Sequence, residues 1–210
     1  MATKVKYNYK IKYNNDVLSK IQYYYNDELK SFADISFEFK NHKKYLILDN
    51  SEDPLKFELN DYGYITVIYN KQDNNNYTEF RKINYNDNDQ ITKVYNVINE
   101  ENFVTIDYNE DNTTNKIAHN TKMTYTYIYD KNSLENKTGQ YWMKNLLESY
   151  FNNDYITTLF MLGYFGKSSA FFPVKYLADE YSYPYEYFKL NDDGTINEEQ
   201  SYLNTYYIYY

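Results

Sequence analysis

The chain contains no cysteine, five glycines and three prolines among its 210 residues. The missing thiols exclude disulfides, thiolate zinc sites and a cysteine nucleophile together. With so little glycine, turns that need left-handed backbone must be built from other residues. No apolar run approaches the roughly 18 to 20 residues that a membrane-spanning helix requires. The most apolar window, Tyr155 to Phe172, is interrupted by Lys167, several hydroxyls and two glycines. A basic excess is also missing: 22 Lys+Arg face 30 Asp+Glu, for a net charge of -8 and a pI near 4.9. That balance argues against nucleic acid, whose phosphate backbone demands a concentrated cationic surface.

What the chain has is tyrosine and asparagine. It holds 31 Tyr and 12 Phe, and 42% of its residues are apolar, too many for a disordered polymer. At this length it can bury a core without a metal or disulfide staple. The N-terminus, Met1 to Lys6, has no apolar segment of a signal peptide and runs directly into an alternating pattern.

Period-two alternation dominates. Val5, Tyr7, Tyr9, Ile11 and Tyr13 alternate with Lys4, Lys6, Asn8, Lys10 and Lys12, giving one aromatic-aliphatic face and one cationic face. The pattern returns at Ile21-Tyr23-Tyr25, Ile35-Phe37-Phe39, Leu55-Phe57-Leu59, Ile65-Val67-Tyr69 and Tyr95-Val97. It continues through Val104-Ile106-Tyr108, Met123-Tyr125-Tyr127-Tyr129 and Tyr206-Ile208-Tyr210. Asn/Asp clusters separate the runs, among them 14–16, 26–27, 60–63, 73–76, 86–89, 109–112, 130–132 and 191–194. These residues tolerate left-handed backbone and cap their own turns. The expectation is one all-β domain over 1–210: a single antiparallel meander of about ten to twelve strands, forming an open or closed barrel. One segment breaks the rhythm. Trp142, Leu146, Leu147, Tyr150 and Phe151 fall at helical spacing, Asn152-Asn153-Asp154 offers a cap, and Gly163 can end the following turn. A short helical insert is therefore expected near 139–166.

The Tyr-x-Tyr hairpins with Asn-Asp turns and Ile-Thr-Lys phrases resemble an uncharacterised Bacteroidetes lipoprotein family, a domain of unknown function with a porin-like fold. Leu162 to Ser168 and the aromatic finish Tyr206 to Tyr210 belong to that resemblance, which extends over essentially the whole chain. It implies an extracytoplasmic, outer-membrane-associated protein, periplasmic or at the cell surface, reaching the membrane through a lipid anchor absent from this chain. It supplies no catalytic residues. The hairpins also resemble the tyrosine-aspartate repeats of large bacterial toxins, but turn glycine occurs only at Gly63 and Gly194, and the one arginine is Arg81.

Motifs for chemistry fail on their spacing. Gly166-Lys167-Ser168 ends like a phosphate loop, yet Met161 stands where the first glycine belongs. Asp107, Asn109 and Asp111 have calcium-loop spacing, but Asn112 replaces the required glycine and Ala118 the bidentate glutamate. His42 and His119, read as turn residues, are too few for a metal site. No GxSxG elbow is present. The expectation is a non-enzymatic binding or scaffolding module with no cofactor, its ligand a glycan, a peptide or another cell-envelope component. Aromatics beside the helical insert are the candidate contacts: Trp142, Tyr164, Phe165, Phe171 and Phe172. An integral outer-membrane barrel is the first alternative, since its strands also alternate and often end in an aromatic. A carbohydrate-active enzyme is the second, on its abundant carboxylates and aromatics.

Overall fold

The computed structural model describes residues 7–50, 54–72, 76–119, 123–129, 133, 135, 154–171, 173, 175–178 and 185–186. Its strands are β1 (Tyr7–Asn14), β2 (Val17–Tyr25), β3 (Glu28–Lys40), β4 (Lys43–Asp49), β5 (Leu55–Leu59), β6 (Ile65–Lys71) and β7 (Tyr77–Tyr85). They continue as β8 (Ile91–Asn96), β9 (Phe103–Tyr108), β10 (Thr114–His119), β11 (Met123–Ile128), β12 (Lys175–Ala178) and β13 (Tyr185–Glu186). A helix, α1 (Asp154–Met161), lies between β11 and β12. The thirteen strands pair in chain order, and every register described is antiparallel. The expected meander is present, with thirteen strands among the described residues. Among the described residues no pairing joins β13 back to β1.

The turns show why so little glycine suffices. Asn15-Asp16, Asn26-Asp27 and Asn41-His42 each place both loop residues at positive φ, between 49° and 65°. This is the two-residue turn whose twist matches a right-handed hairpin. Asn and Asp take it because their short polar side chains offset the left-handed strain locally. A second design recurs at 60–64, 86–90 and 109–113. The first asparagine's amide and carbonyl close the loop, at 2.9 Å and 2.9 Å for Asn60, 2.9 Å and 3.0 Å for Asn86, and 2.8 Å and 3.0 Å for Asn109. The left-handed position falls on Gly63, Asp89 and Asn112 respectively. The carboxamides of Asn60 and Asn86 each accept two further backbone N–H groups.

The chain divides into two compact units. The first comprises Met1–Lys82, Asn153–Tyr164 and Tyr207–Tyr210, the second Ile83–Asn152 and Phe165–Tyr206. In the first unit alternation sorts the strands into a buried and an open face. Leu46, Phe57 and Ile68 form one cross-strand row on the buried face, and Ile35, Leu48 and Leu55 another. Arg81 continues the first row; it is buried with its guanidinium 4.0 Å from the Phe80 ring centre. Helix α1 belongs to this unit, and Tyr155, Ile156, Thr158, Leu159 and Phe160 are all buried. It ends as expected at Gly163: the Gly163 amide bonds Phe160 O and the Tyr164 amide bonds Leu159 O, closing the helix with a left-handed residue. Residues 139–153, the first half of the expected insert, lie outside the described residues.

In the second unit Ile91, Val94, Val104, Ile106 and Ile117 are buried with Phe165. His119 ends β10 rather than occupying a turn, packed edge-on to Tyr125. The segment that resembled a phosphate loop has a structural task. Lys167 donates its amide to Asp89 O at 2.8 Å, and its ammonium lies 3.0 Å from the Asp89 carboxylate. Buried Ser169 accepts the Thr114 amide at 3.1 Å and donates to Phe171 O at 2.9 Å.

These contacts make the glycines unequal. A Cβ on Gly163 would meet nothing within 4 Å, whereas one on Gly166 would collide with the Asp89 carbonyl and the Tyr85 ring. Gly163→Ala is expected to cost only the left-handed strain, about 1–2 kcal/mol. Gly166→Ala adds a clash with backbone to the same strain and should cost more. Urea unfolding of both variants checks this, and equal losses would contradict the close approach at Gly166.

Candidate functional site

Three of the five aromatics expected to form a site fall within the described residues. Tyr164 is half-buried in the first unit; its carbonyl accepts the Ile65 amide at 2.7 Å, and burial pushes its phenol upward in pKa. Phe165 is completely buried in the second unit, a core ring rather than a contact surface. Phe171, in the second unit, is 37% exposed and bridges Glu135. Trp142 and Phe172 lie outside the described residues.

Of the residues with calcium-loop spacing, Asp107 lies in β9, and Asn109 and Asp111 are occupied by their own turn. Asp111 accepts the Thr113 amide at 3.0 Å and its hydroxyl at 2.6 Å, and the Asn109 carboxamide donates to the same hydroxyl at 2.9 Å. Those bonds hold the Asp111 carboxyl below the usual carboxylate range. Nearby, the Asn88 carboxamide donates to that of Asn112 at 2.7 Å, and Gln90 donates to Asn112 O at 3.0 Å, tying two turns together. Tyr129, close to Ser169, is pushed up to about 12 by burial.

The open face of the first unit carries the charged and aromatic groups that could meet a ligand, and it has two distinct neighbourhoods. Over β4–β7, joined by Glu38 of β3, two lysines are matched within the sheet. The Lys56 ammonium sits 2.8 Å from a Glu38 oxygen and 4.0 Å above the Tyr45 ring centre. Glu58 receives the Tyr69 hydroxyl at 2.8 Å and the Lys43 ammonium at 2.8 Å. Burial, reinforced by Glu58, pushes the Tyr69 phenol well above its usual pKa. The hydrogen bond and charge of Lys56 hold Glu38 below the usual carboxylate range.

Over β1–β3 the face stays open. Register aligns Lys10 with Gln22 and Gln22 with Phe32, and Lys12 with Lys20 and Lys20 with Asp34. The Lys10 ammonium lies 4.5 Å from the Tyr24 ring centre, and that of Lys20 lies 4.4 Å from the Phe32 ring centre and 2.9 Å from Asp34. Phe32 and Leu29 are each 48% exposed. Among the described residues the Lys12 ammonium has no hydrogen-bond or ion-pair partner. Cations and flat apolar rings thus share one accessible surface, which suits a ligand having both apolar faces and polar or charged groups. The β1 alternation already exposes this cationic side in the sequence. Tyr24 and Phe32 escaped notice because only strand register places them beside Lys10 and Lys20.

No described protein family and no curated protein matches the chain. Its fold is similar to that of a solved structure, a porin-like protein from Bacteroides uniformis. The TM-score is 0.61 at 17% identity, over 91% of this chain and 81% of that one. At that identity the likeness shows the fold alone: an antiparallel, all-β architecture like that of this porin-like protein.

The Glu38–Lys56 contact has a testable sign. A carboxyl whose folded pKa is depressed contributes stability that is present above its unfolded value, near 4.3, and lost as pH falls through the folded value. Lys56→Met is therefore expected to raise the Glu38 titration midpoint, read by carboxyl carbon NMR. An unmoved midpoint would dissociate Glu38 from Lys56.

Proposed function

We propose that the chain is a non-enzymatic binding module of a bacterial envelope, located outside the cytoplasm and tethered at the outer membrane. It holds a glycan or peptide on exposed aromatics. The observation that carries this reading is the contrast across the open face: Lys43 and Lys56 are held by Glu58 and by Glu38 of β3, while β1–β3 leave Phe32, Leu29, Lys10 and Lys12 accessible. The porin-like neighbour from Bacteroides supports an envelope setting. The Asp111 carboxylate serves its turn and those of Glu38 and Glu58 serve the sheet, which supports a binding role over a hydrolytic one.

An integral outer-membrane barrel is the second reading, favoured by the alternating strands and the porin-like neighbour. Its lipid-facing band would have to be apolar, because Lys at the bilayer midplane costs about 2–4 kcal/mol. The open face of the first unit instead carries the pairs Lys20–Asp34, Lys43–Glu58 and Lys56–Glu38. The opposite face is buried under protein, with Leu46, Leu48 and Phe57 at zero exposure. Both faces of these strands thus weigh against contact with hydrocarbon.

A thermal-shift screen against neutral and charged glycans, peptidoglycan fragments and peptides tests the proposal. A ligand at a hundred times its Kd should stabilise the fold by about 2.7 kcal/mol. Phe32→Ala should abolish that shift with little change in the unliganded transition, since the ring is half-exposed. Silence across the panel, or an undiminished shift in the variant, would rule out this site.

A further inference from the structure

We infer that the β1–β3 face takes an anionic glycan, a polysaccharide segment bearing carboxylate or sulfate groups. This rests on the binding reading above and specifies its ligand class. Sugar rings would lie against Phe32 and Tyr24, with their anions on Lys10, Lys12 and Lys20.

The register supplies the first argument. Lys12 stands directly opposite Lys20, an arrangement of like charges that destabilises a sheet unless an anion intervenes. Asp34 serves Lys20 alone, at 2.9 Å. A bound anion beside Lys12 would complete the compensation that the sheet leaves half-made.

The second argument is spacing. Lys10 and Lys12 project from the same side of one strand, roughly 7 Å apart from a rise of about 3.4 Å per residue. Lys12 and Lys20 are neighbours across strands, about 5 Å apart at Cβ. Aromatic rings lie alongside, and Gln22 and Asp34 add a carboxamide and a carboxylate that can bond hydroxyls. Rings, hydroxyl partners and cations share this patch, as apolar ring faces, hydroxyls and anions share an acidic polysaccharide.

The third argument is the distribution of charge. Strands β1–β3 hold five lysines and three carboxylates, a local excess of cations within a chain of net charge -8. Such a surface suits a polymer of sparse charge. A nucleic acid, with a phosphate on every nucleotide, would meet repulsion from the rest of the chain.

The test uses the full chain and matched pairs of oligosaccharides that differ only in charge. Hyaluronate fragments, with a carboxylate on every second sugar, are compared with their methyl-esterified forms, and galactan fragments bearing a sulfate on every second sugar with their desulfated forms. Calorimetry should show binding of at least one charged member, at least tenfold weaker binding of its neutral twin, and weakening as salt rises from 0.1 to 0.5 M. The double variant Lys10→Gln/Lys12→Gln should lose at least tenfold in affinity with an unchanged unfolding transition. Phe32→Ala should weaken charged and neutral members alike. Equal affinity within each pair would overturn the inference and leave the glycan-binding reading standing. Binding of neutral glycans alone would do the same. No response to any charged glycan overturns the inference, and silence from neutral glycans and peptides as well removes the broader reading with it. Preference for a single-stranded oligothymidine over every glycan would reassign the face to nucleic acid.

Discussion

A reversing chain must satisfy its backbone at each turn, and here side-chain oxygens of asparagine do much of that work. Asn60 and Asn86 each accept two amide N–H groups through one carboxamide while their own backbone closes the loop. Without these bonds the left-handed residues at Gly63 and Asp89 would have little to hold them. Register follows from the turn, and with register comes the choice of which side chains meet the core. Phe57 and Leu46 are buried together, and Lys56 and Tyr45 face the other way, because the hairpins fix that choice.

The consequence extends to the surface. On the open face of the first unit, polar groups are assembled by cross-strand neighbours that lie far apart in sequence. Lys43, Glu58 and Tyr69 come from three strands, yet they form one hydrogen-bonded set. The same register puts Lys12 against Lys20, where Asp34 pairs with Lys20 and, among the described residues, no carboxylate pairs with Lys12. The difference between a self-compensated and an uncompensated patch is therefore a property of pairing, not of composition.

Much of the fold was legible from alternation and turn chemistry alone. The runs Leu55-Phe57-Leu59 and Val104-Ile106-Tyr108 are strands, Asn26-Asp27 is a two-residue turn, and Gly163 ends the helix. β4, β7 and β10 stood out less. β7 buries an arginine and is irregular at its pairing with Ile68 and Tyr69, and β10 is too polar and short to alternate visibly. His119 looked like a turn residue because Asn120 follows it, but pairing with Val104 and Met123 keeps it in the sheet. The site was the least legible part. Phe165 and Phe171 look alike in sequence, and only packing makes one a core ring and the other an exposed one. Tyr24 and Phe32 acquire their meaning from lysines fourteen and twelve residues away.

Turns that contain their own hydrogen-bond partners make each hairpin a separable building block. The loops 60–64 and 86–90 repeat one arrangement with different residues at the left-handed position. A hairpin of this kind could be duplicated or deleted with its turn intact, leaving neighbouring strands to pair as before. Sheets of this design can therefore change length by whole hairpins and drift far in sequence. The Bacteroides uniformis protein has a similar fold at 17% identity.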